Sequence, residues 1–517
     1  MTAGHSWAEL PPELFIRVLA ELDLRSIAAC KRVCRSLYEL IESTAELQYQ
    51  IELSVAGMED GLSKNLSIVS RLERLRAHQK AWTALKWAEE IWVPIALSGT
   101  WELYGGVWAA RAWDTRGLAF MQEPSIFREI PMKQWVIEDL GFAIRDFSLD
   151  ISQDLLVLVE LPTPDSSGDF PPCRIHVRTM STGEPHPLAQ SPLLLHKPYL
   201  FDSAWTFSLI IMDRHLGIMF RCPEGEHGPE HELVIWDWKS GSLKMTRPGI
   251  EMESFAFLTD TLVVITLFTF RQERPAVMCL KPVLCITDFT KYSSTYRGAA
   301  GNHTVQLGLP ELTPGVFPSN MKIRMDPAPA FSPSASQGVP FHIDSTNRVF
   351  IVTFTAASRH VHAPVTLFIP LKTVLSWYHT GRREIDWEEW GTRGTRILGT
   401  LRTSPHWLCY VYGPKFVHRS IPEEIDVYDF NELAIRRLQA ALEVPENVRI
   451  VTEPSRFEHS GVFSEEVTTS APYMVTTARL PERLAEDPFT IPMLTEDNLF
   501  FITRREDSLR RCCLLTF

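Results

Sequence analysis

The first hydrophobic block of the chain is too apolar for an ordinary surface helix. Between Leu14 and Leu22, six of nine residues are large and apolar: Leu14, Phe15, Ile16, Val18, Leu19 and Leu22. A helix that covers only its own core needs a single stripe, so two buried sides are implied, one against the rest of the segment and one against another chain. Pro11 and Pro12 suit a first turn, where a missing N–H costs nothing, and Glu13 suits the positive end of the helix dipole. A second helix is predicted from Ser26 as N-cap, because Ile27, Cys30, Val33, Cys34, Leu37, Leu40 and Ile41 recur at three- and four-residue steps. Lys31, Arg32 and Arg35 fall between them and make a basic flank. A third helical pattern puts Ile68, Leu72, Leu75, Trp82 and Leu85 on one face, with Trp87 and Trp92 joining them and Pro94 marking the end.

From about Leu97 the period changes to that of strands. Trp101 to Trp108, Phe147 to Ile151, Leu155 to Glu160, Leu209 to Met212, Leu262 to Phe268, Arg348 to Phe354 and Leu499 to Thr503 are short apolar or alternating runs separated by Pro, Gly, Ser and Asp. No long helical pattern interrupts them, which argues against a parallel α/β sheet and for an all-β closure. Three regions follow: a helical module at 6–50, a helical linker at 51–96 and a large β domain at 97–517.

The N-terminal residues carry a resemblance. Leu10-Pro11, Glu13-Leu14, Val18-Leu19, Leu22, Ser26-Ile27 and Val33-Cys34 resemble the F-box pattern, with Ser26-Ile27 where Asp-Leu is usual and Leu37 where an aromatic is frequent. The resemblance covers about 35 residues. It implies docking on a Skp-family adaptor, which joins a cullin scaffold and a RING subunit in an SCF ubiquitin ligase. Carried over by position, Leu10, Pro11, Leu14, Val18, Leu22, Ile27, Val33 and Cys34 would make or support that interface. The F-box subunit would do no bond chemistry; it raises the effective concentration of an unknown protein substrate at the ligase. An F-box scaffold outside any ligase, or a propeller enzyme with a fortuitous F-box-like start, are the alternatives.

A weak internal repeat sharpens the β reading. Leu233 to Gly241 runs as a strand into a tight turn and looks like the Trp-Asp step of a WD-type propeller blade. Ile175 to Gly183, Val283 to Phe289 and Ile425 to Phe430 share its shape. Thr179, Asp237 and Asp288 are one four-stranded blade apart, and the gap from Asp288 to Asp429 has room for two or three more blades. About seven blades are expected over the whole domain; an irregular β domain or two sandwiches would also fit. Lys291 to Val339 is rich in Gly, Pro and Ser and reads as long surface loops, either a candidate for substrate contact or a disordered insert.

Composition changes this picture little. A net charge of −12, from 63 acidic and 51 basic residues, argues against a general nucleic-acid binder. Hydrophobics at 45% supply a sizeable core. Nine cysteines without a C-x-x-C pair favour a reducing compartment, cytoplasmic or nuclear. No secretory signal or membrane span is expected.

Candidate chemistry is sparse. No Walker A loop, Rossmann fingerprint, H-E-x-x-H helix or G-x-S-x-G elbow occurs. His227 and His231 are four apart but separated by Gly228 and Pro229, and His360 with His362 make half a metal site. Cys279, Cys285, Cys512 and Cys513 read as buried thiols, and Glu388-Glu389 between Trp387 and Trp390 as chance neighbours rather than a glycosidase pair. No metal, cofactor or catalytic residue is expected.

Overall fold

A computed structural model describes residues 11–61, 65–95, 99–111, 116–163, 171–197, 206–221, 231–274, 277–291, 304–332, 338–359, 361–399, 401, 409–487, 490–503 and 510–517. Leu10, His227 and His360 lie outside these residues.

Four short helices open the chain: α1 (Pro12–Ala20), α2 (Leu24–Lys31), α3 (Arg35–Ser43) and α4 (Ala45–Ala56). Proline at the start of α1 leads into the first turn as expected. The second predicted helix is two. Asp23, not Ser26, caps α2, its carboxylate accepting the Ser26 N–H at 2.8 Å. Cys34 then turns extended (φ −156°) and separates α2 from α3. Leu19, Ile27, Ile41 and Leu47 meet as a small buried core, which is why a segment this short keeps its shape.

Helix α5 (Ile68–Ala84) buries Leu72, Leu75, His78 and Trp82, while Ile68 faces solvent. It stops at Leu85, in the left-handed region, before the predicted end at Pro94. Glu89–Ile95, inside the stretch read as helical linker, is a strand.

Seven sheets of four or five strands follow one another in chain order, a seven-blade propeller, antiparallel except where Glu384–Ile385 adds a parallel edge to blade 4. The innermost strands of blades 1 to 7 are Trp101–Tyr104, Ile144–Asp150, Thr206–Met212, Met252–Phe257, Phe317–Arg324, Val411–Tyr412 and Ile491–Leu494. Blade 7 is completed by the strand Glu89–Ile95, which pairs with Arg510–Thr516 so that Ile91 sits opposite Leu514 and Trp92 opposite Cys513. A strand preceding blade 1 therefore closes the ring, and that closure removes the free edges so many strands would otherwise present. Apolar faces of successive blades pack together: Val157, Val177 and Ile218 between blades 2 and 3, Leu233, Phe255 and Phe257 between blades 3 and 4.

The repeat positions fall in register. Thr179, Asp237, Asp288 and Asp429 each end the third strand of blades 2, 3, 4 and 6. Asp237 accepts the N–H groups of Lys239 and Ser240 at 3.1 and 3.2 Å and pairs with Arg214 at 2.5 Å, fixing the tight turn. Trp238 beside it is fully buried, and its indole N–H donates to the Asp213 carbonyl at 2.7 Å. Trp238→Ala should lower stability by about 3–5 kcal/mol, read as a fall in the urea midpoint.

The gap from Asp288 to Asp429 holds one additional blade, not two or three. Its length goes to insertions, including the connection 325–348 within blade 5 and helices α6 (Leu371–Tyr378) and α7 (Trp387–Gly394). The stretch read as loops from Lys291 to Val339 contains the outer strand Thr304–Gly308 of blade 4 and the inner strand of blade 5. Among the described residues no helix is long and apolar enough to cross a membrane.

Candidate functional site

The N-terminal helices divide their apolar residues between two faces. Leu19 and Ile27 are buried, whereas Leu14 and Val18, one turn apart on α1, are 46% and 49% exposed. Val33, in the turn between α2 and α3, is 72% exposed, and Cys34 beside it is open as well. Pro11 is exposed and Leu22 half-buried. Tyr38 on α3 adds 48% exposure, with the Lys31 ammonium 5.1 Å from its ring centre. Among the sequence-derived residues, then, Pro11, Leu14, Val18, Val33 and Cys34 are presented outward, and Ile27 holds them from beneath. Tyr38 was not among them; its place in the heptad-like run fell between the apolar positions, so periodicity gave no signal. Large apolar side chains are thus gathered in water on the surface of a small unit.

This unit is fastened to the ring through α4. Glu52 on α4 pairs with Arg76 of α5 at 3.1 Å and with Arg437 of helix α8 (Glu432–Gln439). Asn431, the N-cap of α8, donates to the Val55 carbonyl at 2.9 Å. Gly57 ends α4 at φ +66°, and a Cβ there would overlap the Asn347 side chain, so this close approach requires glycine. The following strand Met58–Asp60 pairs with Phe341–Ile343 of the blade 5 connection, and the Tyr49 hydroxyl lies 2.8 Å from the Pro340 carbonyl.

Beneath α5 sits a buried polar cluster that the sequence did not reveal, because its members come from distant parts of the chain. Arg128, in the last connection of blade 1, pairs with Glu496 at 2.9 Å and donates from Nε to Asp497 at 2.6 Å. His78 of α5 reaches Asp497 at 3.2 Å, and the Trp82 indole N–H donates to the same imidazole at 3.1 Å. Burial works against the Asp497 carboxylate, yet Arg128 overcomes it and holds the group down at about 2. Glu123 accepts from Thr495 at 2.6 Å and Asn498 at 3.0 Å through one oxygen. Burial nonetheless pushes it up to about 7, with Asp497 adding to the rise. A raised folded-state value means that its contribution to stability is complete below about pH 4.5 and is lost as pH rises through 7. Glu123→Gln, which keeps the accepting oxygen, should therefore gain about 1–3 kcal/mol over the parent at pH 8, a difference that vanishes near pH 4.5 in parallel urea titrations.

Several of the remaining sequence candidates are engaged in packing or ion pairs. Trp387 and Trp390 are buried, Trp390 donating to the Gly308 carbonyl at 2.7 Å, and Glu389 is paired with Arg382. Cys285, Cys512 and Cys513 are buried, and burial pushes the Cys512 thiol up to about 12. The side chain of Cys279 lies outside the described residues. Among the described residues no cluster of three His, Cys, Asp or Glu side chains is placed to hold a metal.

Residues 7–53, which include the four core positions of the N-terminal helices and their exposed face, match the F-box-like family model. None of the curated proteins matches the chain. The chain thus carries an F-box-like domain, followed by a large all-β region arranged as a seven-blade propeller.

Proposed function

We propose that the protein is a non-catalytic substrate adaptor of an SCF-type ubiquitin ligase, working in the cytoplasm or nucleus. F-box domains generally bind Skp-family adaptors, and the exposed row Leu14, Val18 and Val33 on a matching domain is the observation that carries the reading. The adaptor would bring a cullin and a RING subunit, while the propeller holds a protein substrate. Fastening of α4 and α5 to the ring supports this division of labour, because a fixed offset between the docking face and the propeller keeps a bound substrate at a constant position.

Co-expression of the full chain with a Skp-family adaptor tests the reading: the two should co-purify as a stable complex through size exclusion. Isolation of the chain alone would overturn it. With the complex in hand, addition of cullin and RING subunits should support ubiquitin transfer to a captured protein, and a complex that never recruits them would point to an F-box scaffold outside the ligase.

A further inference from the structure

The inner strands of the propeller enclose a cavity of about 410 Å³, within the range of ligand pockets. Its walls run from Gly99 and Thr100, at the start of the inner strand of blade 1, down to Ala328 and Pro329. In an antiparallel meander, the turns after the first strand and the connections after the third all emerge on one face of the ring. Arg128, Asn431, Phe341 and Asp497 lie in such segments, so the F-box-like domain is mounted on that face. The blade 5 connection closes the cavity there: Phe331 packs edge-on against Tyr104, the Ala328 N–H donates to the Tyr104 hydroxyl at 3.0 Å, and Arg348 donates to the Ala328 carbonyl at 2.7 Å. Among the described residues, nothing comparable closes the cavity on the opposite face, where its lining begins at Gly99 and Thr100.

The walls are unbalanced in charge. Glu102, Asp146 and Asp326 line the cavity against one guanidinium, that of Arg324. None of the three carboxyls forms an ion pair within 4 Å among the described residues. Glu102 has the Ser148 hydroxyl at 3.1 Å and Asp146 the Phe147 N–H at 2.9 Å as their hydrogen-bond donors. Ser208, itself 3% exposed, faces the same space, and its hydroxyl has no hydrogen bond among the described residues. Burial raises Asp146 and Asp326 to about 6 and Glu102 well above its ordinary value; Arg145 and Arg111 act on Asp146, and Arg324 and Arg348 on Asp326, without reversing the rise. Ionising carboxyls that burial pushes up in spite of these guanidinium groups is costly, and a cation entering the cavity lowers that cost.

We propose that the cavity receives one basic side chain of the substrate protein, its cationic head set against Glu102, Asp146 and Asp326 and its stem against the aliphatic and aromatic wall. The inference deepens the adaptor reading by naming the chemistry of the substrate it would hold. A stem of methylenes with a charged end matches a pocket whose walls also include Phe147, Phe257 and Ile211.

Calorimetric titration of the full chain with the capped tripeptide acetyl-Gly-Arg-Gly-amide tests this. Binding is expected for the arginine peptide and at least tenfold weaker binding for its citrulline and glutamate counterparts. Glu102→Gln with Asp146→Asn should weaken the arginine peptide at least tenfold while leaving adaptor co-purification unchanged and the unfolding midpoint no lower than the parent's. Absence of binding at millimolar arginine peptide, or equal affinity for arginine and citrulline, overturns the proposal. Saturation by agmatine with none by the peptide overturns the assignment to a polypeptide. Adaptor co-purification is scored separately, so loss of the ligase reading and loss of the cavity reading give different results.

Discussion

Replacing Pro11, Leu14 and Val18 together by alanine should weaken binding to a Skp-family adaptor by about 30-fold or more, the effect of removing apolar anchors from the centre of an interface. The folded chain should barely register the change. These side chains are exposed on α1, and surface substitutions of this kind move stability by about 0.5 kcal/mol or less. Ile27→Ala is the informative contrast. Ile27 is 1% exposed in the small core with Leu19, Ile41 and Leu47, so its truncation should cost about 2–5 kcal/mol of local stability. Binding would then fall because the face is no longer held in shape. Hydrogen exchange across α1 to α3 separates the cases: protection is retained in the triple variant and lost in Ile27→Ala. Equal adaptor affinity for the parent and the triple variant would show that α1 is not part of the contact.

How far the sequence foretells the structure depends on how local the cause is. The surplus of apolar residues on α1 is a local property, and it separates into the buried Leu19 and the exposed Leu14 and Val18. The turn after the third strand of a blade is local too, since Asp237 bonds N–H groups two and three residues ahead, and such turns kept the register of blades 2, 3, 4 and 6 readable. The start of helix α2 was misplaced by three residues because Asp23 and Ser26 are both good caps, and only the geometry of the chain entering from α1 selects between them. Strand Glu89–Ile95 was hidden for a different reason. Its alternation is short, and what makes it a strand is the waiting edge of Arg510–Thr516, more than four hundred residues away. The cavity carboxyls were illegible for the same reason: Glu102, Asp146 and Asp326 are ordinary acids in sequence and neighbours only once the ring has closed.

The second large effect is expected at Arg128. Arg128→Met keeps much of the side chain's volume but leaves Glu496 and Asp497 without their guanidinium, in a place where both carboxylates are almost wholly buried. Removing one partner of a buried ion pair costs about 3–5 kcal/mol, because the other charge is then left desolvated and uncompensated. If that is the cause, Asp497→Asn in the same chain should recover part of the loss, about 1–2 kcal/mol, since one of the two stranded charges is gone. A simple loss of packing would not be recovered. The location gives the substitution a second consequence. His78 and Trp82 bind the cluster from α5, and Trp82 stacks on Phe517 at 4.0 Å between ring centres, so the cluster joins the helix that supports α4 to the blade where the ring closes. Arg128→Met should therefore raise hydrogen exchange in α5 and in Glu89–Ile95 before it does so in blades 3 and 4, whose cores lie elsewhere. A uniform loss of protection across all blades would instead mean that the propeller unfolds as one unit and that the cluster does not act as the fastening between the two parts of the chain.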